Sequence, residues 1–331
     1  MLTSPTDLDH DELVRALMPW GVDEPRLVYL PVGFGAHHWH AEDDGTRWFV
    51  TVDDLAAGFQ RAADTDAAFA ALERAYRTAA VLRDEAGLEF VLAPLLDNEG
   101  VILRRVDERY AVSVAPFVEG TSSSFGEYES AAERRRMAEL VGRLHVAGDR
   151  IPADLPRRDD CSIPSRAVLD EALATLDEPW DTGPFADAAR VLLADRADTV
   201  DARLRRYDAL AERVRGRAES WVVTHGEPHR ANVMVDALRR TRLVDWDTTL
   251  VAPRERDLCM VLDEELTGWS EYLSVVGDVS LDAEALELYR RWWSLADIAV
   301  FVALFRSPHQ EDENTVASLT FLRRNLESEA S

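Results

Sequence analysis

Residues 225 to 247 read HGEPHRANVMVDALRRTRLVDWD. A carboxylate (Glu227), a side-chain amide (Asn232) and a second carboxylate (Asp245) are spaced through a stretch whose remaining core is apolar. The segment follows the apolar run WVV and passes through NVMV and RLV, so it predicts a loop between short strands, with polar groups presented at the loop mouth. Asn232 and Asp245 then fall on adjacent strands of a hairpin, where an amide oxygen and a carboxylate can share one hard cation. Magnesium takes such oxygen ligands and completes its octahedron with water and substrate phosphates. A carboxylate five residues before the asparagine suits orienting an attacking hydroxyl and accepting its proton.

On these residues the chain resembles the aminoglycoside phosphotransferase and choline-kinase-like family, which is built on a protein-kinase-like fold. That family carries H-x-D-x-x-x-x-N followed by an aspartate opening a D-x-[DE] segment, and the matching positions are His225, Glu227, Asn232 and Asp245. The resemblance implies Asn232 and Asp245 as Mg2+ ligands, Glu227 in the catalytic-base position, and ATP or GTP as phosphoryl donor. It places nucleotide contacts at Gly33, Gly35 and Thr51 and, around the hinge in SVAPFVEG, at Ala115 and Phe117. It runs over nearly the whole chain, and the stretches GLEFVLAP and PFVEG are similar to the spectinomycin phosphotransferase-like branch. Two departures stand out. Glutamate replaces the aspartate at 227, pushing the carboxylate out by one methylene, where a misplacement of about 1 Å can cost on the order of a hundredfold in rate. The family's phosphate-gripping lysine is missing from the third strand, RWFVTVDD, where Thr51 or a near neighbour stands. Arg47 and Arg77 are the candidate stand-ins, with Glu73 as the helix carboxylate that would pair with such a cation.

The lysine is missing everywhere: all 37 basic residues of the 331 are arginine. A Walker A loop, a pyridoxal imine and an S-x-x-K acyl enzyme each need a lysine, so those chemistries are excluded. A net charge of −25 argues against nucleic acid as partner, because phosphate neutralisation needs a basic face. It is compatible with a polar or cationic small-molecule acceptor. Cys161 and Cys259 have neither metal nor disulfide spacing, which fits a reducing cytoplasm. The most apolar late stretch, LADIAVFVALF, is too short to span a bilayer, so no membrane partner is expected. Oligomeric state is not legible.

The elements that must position these groups follow from patterning. A short helix capped at Thr6 or Asp7 precedes three antiparallel strands from Leu27, with turn signals at Gly33, Gly35 and DDG (43 to 45). A helix over DTDAAFAALERAYRTAAVLRDEAGL stops at Gly87, and two or three further strands end near Pro116. Beyond Gly120 the composition turns helical, interrupted by a Pro-containing stretch at 152 to 164. The expected class is α+β, two-lobed and protein-kinase-like: a small antiparallel-sheet lobe over residues 1–118, binding nucleotide, and a larger, mainly helical catalytic and substrate-binding lobe over 119–331.

Other residues carry weaker signals. G-x-G at 33 to 35 is equally a hairpin turn. His37, His38 and His40 invite a metal, though surface histidines of a hairpin are the commoner outcome. His225 suits pinning the loop, His229 a turn or a substrate contact, and His145 a satisfied core position. Asp257 is expected to cap the next helix and hold the catalytic loop. Glu264, Glu265, Trp292 and Asp297, with Trp293, are candidates to receive a cationic acceptor, against a solvated helix face and core aromatics. The function expected is Mg-dependent transfer of a γ-phosphoryl group to a hydroxyl of an aminoglycoside or aminocyclitol, as in antibiotic modification. A sugar or amino-alcohol kinase, a pseudokinase-like nucleotide-binding module and a nucleotidyl transferase stay open.

Overall fold

The structure, a computed structural model, describes residues 1–33, 35–57 and 64–328. Contacts divide the chain into two compact units, residues 3–159 with 218–282, and residues 160–217 with 283–331.

The first unit opens with α1 (His10–Leu17). Its cap is Asp9, whose carboxylate accepts from the N–H groups of Asp11 and Glu12, not Thr6 or Asp7 as patterning suggested. Asp7 is drawn off by tertiary partners, accepting from the Tyr110 hydroxyl and pairing with Arg109. The strands β1 (Arg26–Leu30), β2 (Ala36–Asp43) and β3 (Thr46–Asp54) form the expected antiparallel meander. Asp44 and Gly45, both at positive φ (46° and 75°), make the β2–β3 turn tight enough for a hairpin. After α2 (Thr65–Asp84), capped by Asp64, come β4 (Arg104–Arg105) and β5 (Tyr110–Pro116). The sheet order is β1-β2-β3-β5-β4.

Strand alternation gives this sheet two different faces. One packs Trp39, Ala41, Val50, Val52, Val112 and Val114 against Leu13 and Leu17 of α1. The other carries His38, His40, Thr51, Asp53, Ser113 and Ala115, since Thr51 lies opposite both His38 and Ser113. On this second face the α2 side chain Tyr76 reaches Asp53.

The strand β6 (Gly120–Ser122) leads to α3 (Ala131–Ala147), whose cap Ser130 accepts from Glu133 N–H. Three helices, α4 (Arg166–Ala174), α5 (Ala186–Ala194) and α6 (Ala197–Arg215), then belong to the second unit. The chain returns to the first unit with β7 (Val222–Thr224), β8 (Val233–Asp236), β9 (Thr241–Leu243), β10 (Leu250–Ala252), α7 (Glu255–Val261) and α8 (Trp269–Val276). It ends in the second unit with α9 (Ala283–Phe305), against which α4, α6 and α10 (Glu313–Glu327) pack. Among the described residues no helix is long and apolar enough to cross a membrane.

Candidate active site

The segment bearing the chemistry is built on two small sheets. β7 pairs with β10, and the hairpin β8–β9 pairs with β6. Within the hairpin Val233 faces Leu243, and the next bond outward runs from Val244 N–H to the Asn232 carbonyl at 3.0 Å. Asn232 and Asp245 therefore flank the open end of the hairpin instead of lying on its strands: Asn232 ends the 3-10 turn Arg230–Asn232 and Asp245 follows β9 by two residues.

The loop from 225 to 231 is held by its own histidine. His225 Nε2 donates to the Val244 carbonyl at 2.9 Å, and its Nδ1 accepts from Glu227 N–H at 3.1 Å. Burial pushes its pKa down to about 4, so the ring stays neutral and can use one nitrogen as donor and the other as acceptor. Trp246 packs edge-on against it at 4.5 Å. Asp257 anchors the same loop: its Oδ1 accepts from Gly226 N–H at 2.7 Å and its Oδ2 from His225 N–H at 3.0 Å. His145 Nε2 lies 3.1 Å from Oδ2, and His145 Nδ1 meets the Tyr272 hydroxyl at 2.8 Å. Asp257 thus holds the loop, but it does not cap α7. The cap position belongs to Arg254, because the carboxylate is turned inward to the two loop amides.

Asn232 is buried, and its Nδ2 donates to the Glu227 carbonyl at 3.0 Å. That bond ties the base-bearing residue to the hairpin and leaves Oδ1 as an acceptor. Asp245 sits at φ 68°, a conformation that non-glycine residues rarely adopt and that is concentrated at functional sites. Its pKa is raised well above the carboxylate range by enclosure in protein and by the charges of Asp247, Glu227 and Asp53. Carboxylates crowded in this way favour a bound divalent cation, and an amide oxygen beside a carboxylate is the donor set that magnesium prefers. Among the described residues no three His, Cys, Asp or Glu side chains converge on a point, so such an ion would draw its remaining oxygens from water and phosphate.

Sheet residues expected to meet the nucleotide fall on the second face. Thr51 Oγ1 lies 3.2 Å from His38 Nδ1, and Ala115 pairs with Phe49 across β3–β5. Phe117 packs against the His40 ring at 4.6 Å and beneath the Arg47 guanidinium at 5.1 Å. Gly33 and Gly35 have φ of 70° and 103°; the residue between them lies outside the described residues.

Both candidate stand-ins for the lysine are ion-paired: Arg77 with Glu73 along α2 at 3.1 Å, the partner expected for such a cation, and Arg47 with Glu119. From the same helix the Tyr76 hydroxyl reaches Asp53 Oδ2 on β3, at 3.2 Å. Burial and then the charge of Asp247 push Asp53 up to about 8. On this strand face a carboxyl raised by burial thus meets a phenol, beside the Arg77–Glu73 pair of α2. Sequence reading singled out neither Asp53 nor Tyr76, although Asp53 stands two positions after Thr51 on the same strand face.

The acceptor candidates fall in two places along the chain. Glu264 and Glu265 lie not on a helix but in the exposed turn after α7, which ends at Val261. Trp292 and Asp297 belong to α9 in the second unit. Trp292 Nε1 donates to the Ser162 carbonyl at 2.8 Å, and Asp297 accepts from Asn325 Nδ2 at 3.1 Å.

A strand-rich sheet, a pinned loop with a carboxylate, and an Asn–Asp pair at a hairpin mouth define a kinase-like small-molecule phosphotransferase. The profile of the phosphotransferase enzyme family matches residues 27–299, and the chain belongs to that family. It is 27% identical over 329 residues to protein StrN of Streptomyces griseus, a match covering 96% of this chain and 91% of that protein. Among solved structures it resembles spectinomycin phosphotransferase APH(9)-Ia in complex with ADP and spectinomycin, with TM-score 0.73 and 15% identity over 96% and 95% of the two chains. It also resembles a microcompartment-associated aminopropanol kinase, with TM-score 0.58 and 16% identity over 96% and 95%. At those identities the likeness to the two solved structures is one of fold.

Proposed function

We propose that this phosphotransferase moves the γ-phosphoryl group of ATP or GTP onto a hydroxyl of an aminoglycoside or aminocyclitol-type acceptor, in the cytoplasm. The carrying observation is the junction of Asn232, Asp245 and Glu227: the Asn232 amide bonds the base-bearing loop, its backbone pairs with Val244, and the Asp245 carboxylate feels the charges of Asp247 and Glu227. Asn232 Oδ1 and Asp245 would hold Mg2+, which when bound offsets negative charge on the phosphate oxygens. Glu227 aligns the acceptor hydroxyl and takes its proton as oxygen bonds to phosphorus and the bond to the β-phosphate oxygen breaks, its electrons leaving with the nucleoside diphosphate. His225 and Asp257 keep the loop fixed so that positioning supplies most of the acceleration. The net charge of −25 supports a cationic acceptor through long-range attraction.

The test is an acceptor screen with γ-labelled ATP and GTP and magnesium, across aminocyclitols, aminoglycosides, hexosamines and amino alcohols, read by label transfer and product mass. Gain of one phosphoryl group by an aminocyclitol or aminoglycoside is the expected result. Phosphorylation of hexosamines or amino alcohols alone would overturn the acceptor class. Addition of a nucleotidyl group, or no transfer to any acceptor, would overturn the reaction.

A further inference from the structure

The geometry points to His229 as a positioning residue for the carboxylate of Glu227, an inference that rests on the phosphotransfer reading of this site. His229 Nε2 lies 3.5 Å from Glu227 Oε2. This is ion-pair range, and both side chains are largely enclosed, with 14% and 25% of their surface exposed. The backbone joining them is restrained. Pro228 stands between, with its φ limited by the ring, and its carbonyl accepts a 2.5 Å bond from the buried Tyr128 hydroxyl.

The imidazole is also held from its other side, where the Phe125 ring packs edge-to-face at 4.9 Å and 74°. Nδ1 is buried with no hydrogen-bond partner among the described residues, so the ring is oriented by Phe125 and Glu227 and not by a second polar anchor. The other charges nearby are accounted for. Arg230 turns to Glu129 at 2.5 Å, and His225 is kept neutral by burial, so Glu227 is the charge that the imidazole faces.

A glutamate in the base position has one more rotatable bond than an aspartate, and its carboxylate must be fixed if the hydroxyl is to meet it in one geometry. His229 supplies that restraint. An aspartate at 227, shorter by one methylene, would fall out of its reach.

The test is a double-mutant cycle of His229→Asn and Glu227→Asp, with magnesium-dependent nucleotide turnover as one readout and nucleotide KM as another. In the Glu227 background His229→Asn is expected to lower kcat by about tenfold or more, with KM for nucleotide changed by less than about twofold. In the Glu227→Asp background the same substitution is expected to change kcat by less than about twofold, because the contact is already gone. Equal losses in both backgrounds would overturn the inference. A second measurement needs no turnover: ring mobility of His229 is followed by NMR relaxation in the unsubstituted protein and in Glu227→Gln. Loss of the facing carboxylate is expected to make the ring more mobile; unchanged relaxation would overturn the inference. His229→Gln replaces His229→Asn if the latter does not fold. A protein with no phosphotransfer at all would sink the reaction assigned above, whereas the relaxation measurement still decides whether the two side chains are coupled.

Discussion

Asp257→Ala removes a buried acceptor that three donors share. Oδ1 serves Gly226 N–H at 2.7 Å, while Oδ2 serves His225 N–H at 3.0 Å and His145 Nε2 at 3.1 Å. Asp257 and His225 have no exposed surface and His145 has 4%, so water does not replace the lost oxygens. Each buried donor left unpaired costs about 1–3 kcal/mol. Full additivity would give about 3–9 kcal/mol, but the loop can relax and the imidazole can turn its other nitrogen, so about 3–5 kcal/mol is expected. Against a typical domain stability of about 5–15 kcal/mol, that leaves the protein folded but marginal. The pH dependence has a definite sign. Burial raises the Asp257 carboxyl, yet the bond from His145, foremost, and the nearby Arg256 guanidinium bring it below the ordinary aspartate value. A depressed carboxylate contributes stability above its unfolded pKa and loses that contribution as pH falls through the folded value. Urea denaturation of both proteins should therefore show the full gap near pH 7 and a shrinking gap below about pH 4. A variant within about 1 kcal/mol of the unsubstituted protein at pH 7, or a gap constant into acid, would refute the argument.

Gly226→Ala should destabilise by about 2–4 kcal/mol in the same denaturation assay, because φ is 102° and a Cβ would stand 2.4 Å from the Arg256 guanidinium and 2.5 Å from Thr248 Oγ1. Arg256 cannot simply withdraw, being buried and bonded to Thr224 Oγ1 at 3.0 Å. Asp245→Asn should abolish magnesium-dependent turnover while leaving the melting temperature equal or higher, since it removes an ionisable group from a crowd of carboxylates; retained turnover would refute the metal assignment. Asp53→Asn should gain in melting temperature over the unsubstituted protein as pH rises from 5 to 8 in chelator. Asp53, raised to about 8, contributes stability that is fully present below its unfolded pKa and lost as pH rises through the folded one; a gap independent of pH across that range would sink the assignment.

How much of this was legible in the sequence follows from which interactions are local. The three-strand meander was readable because Asp44-Gly45 and period-2 alternation are encoded within a few residues. So was the hairpin, where Val233 and Leu243 pair and bring Asn232 and Asp245 to one end. The first helix began two or three residues later than patterning placed it because Asp7 has tertiary partners 102 and 103 positions away. The role of Asp257 was half legible. An aspartate early in a helix reads as a cap, and only folding reveals that its oxygens meet loop amides 31 and 32 residues earlier. The break of the helix before Glu264 was missed for a similar reason, as Arg134 from α3 donates to the last carbonyl of α7, that of Val261, at 3.0 Å.

The substitution at the lysine position shows why the site could not be finished from spacing alone. Absence of lysine raised the question of which arginine replaces it, a question framed around charge. On that strand face the structure sets Asp53, raised to about 8 by burial and the charge of Asp247, against the Tyr76 hydroxyl, while Arg77 pairs with Glu73 on α2. A neutral pair there cannot neutralise phosphate. A divalent cation bound with the triphosphate would add positive charge where Asp245, Asp247 and Glu227 act on one another. This makes nucleotide affinity more dependent on magnesium than in an enzyme with a built-in lysine, so removing the metal should weaken nucleotide binding itself and not only the chemical step.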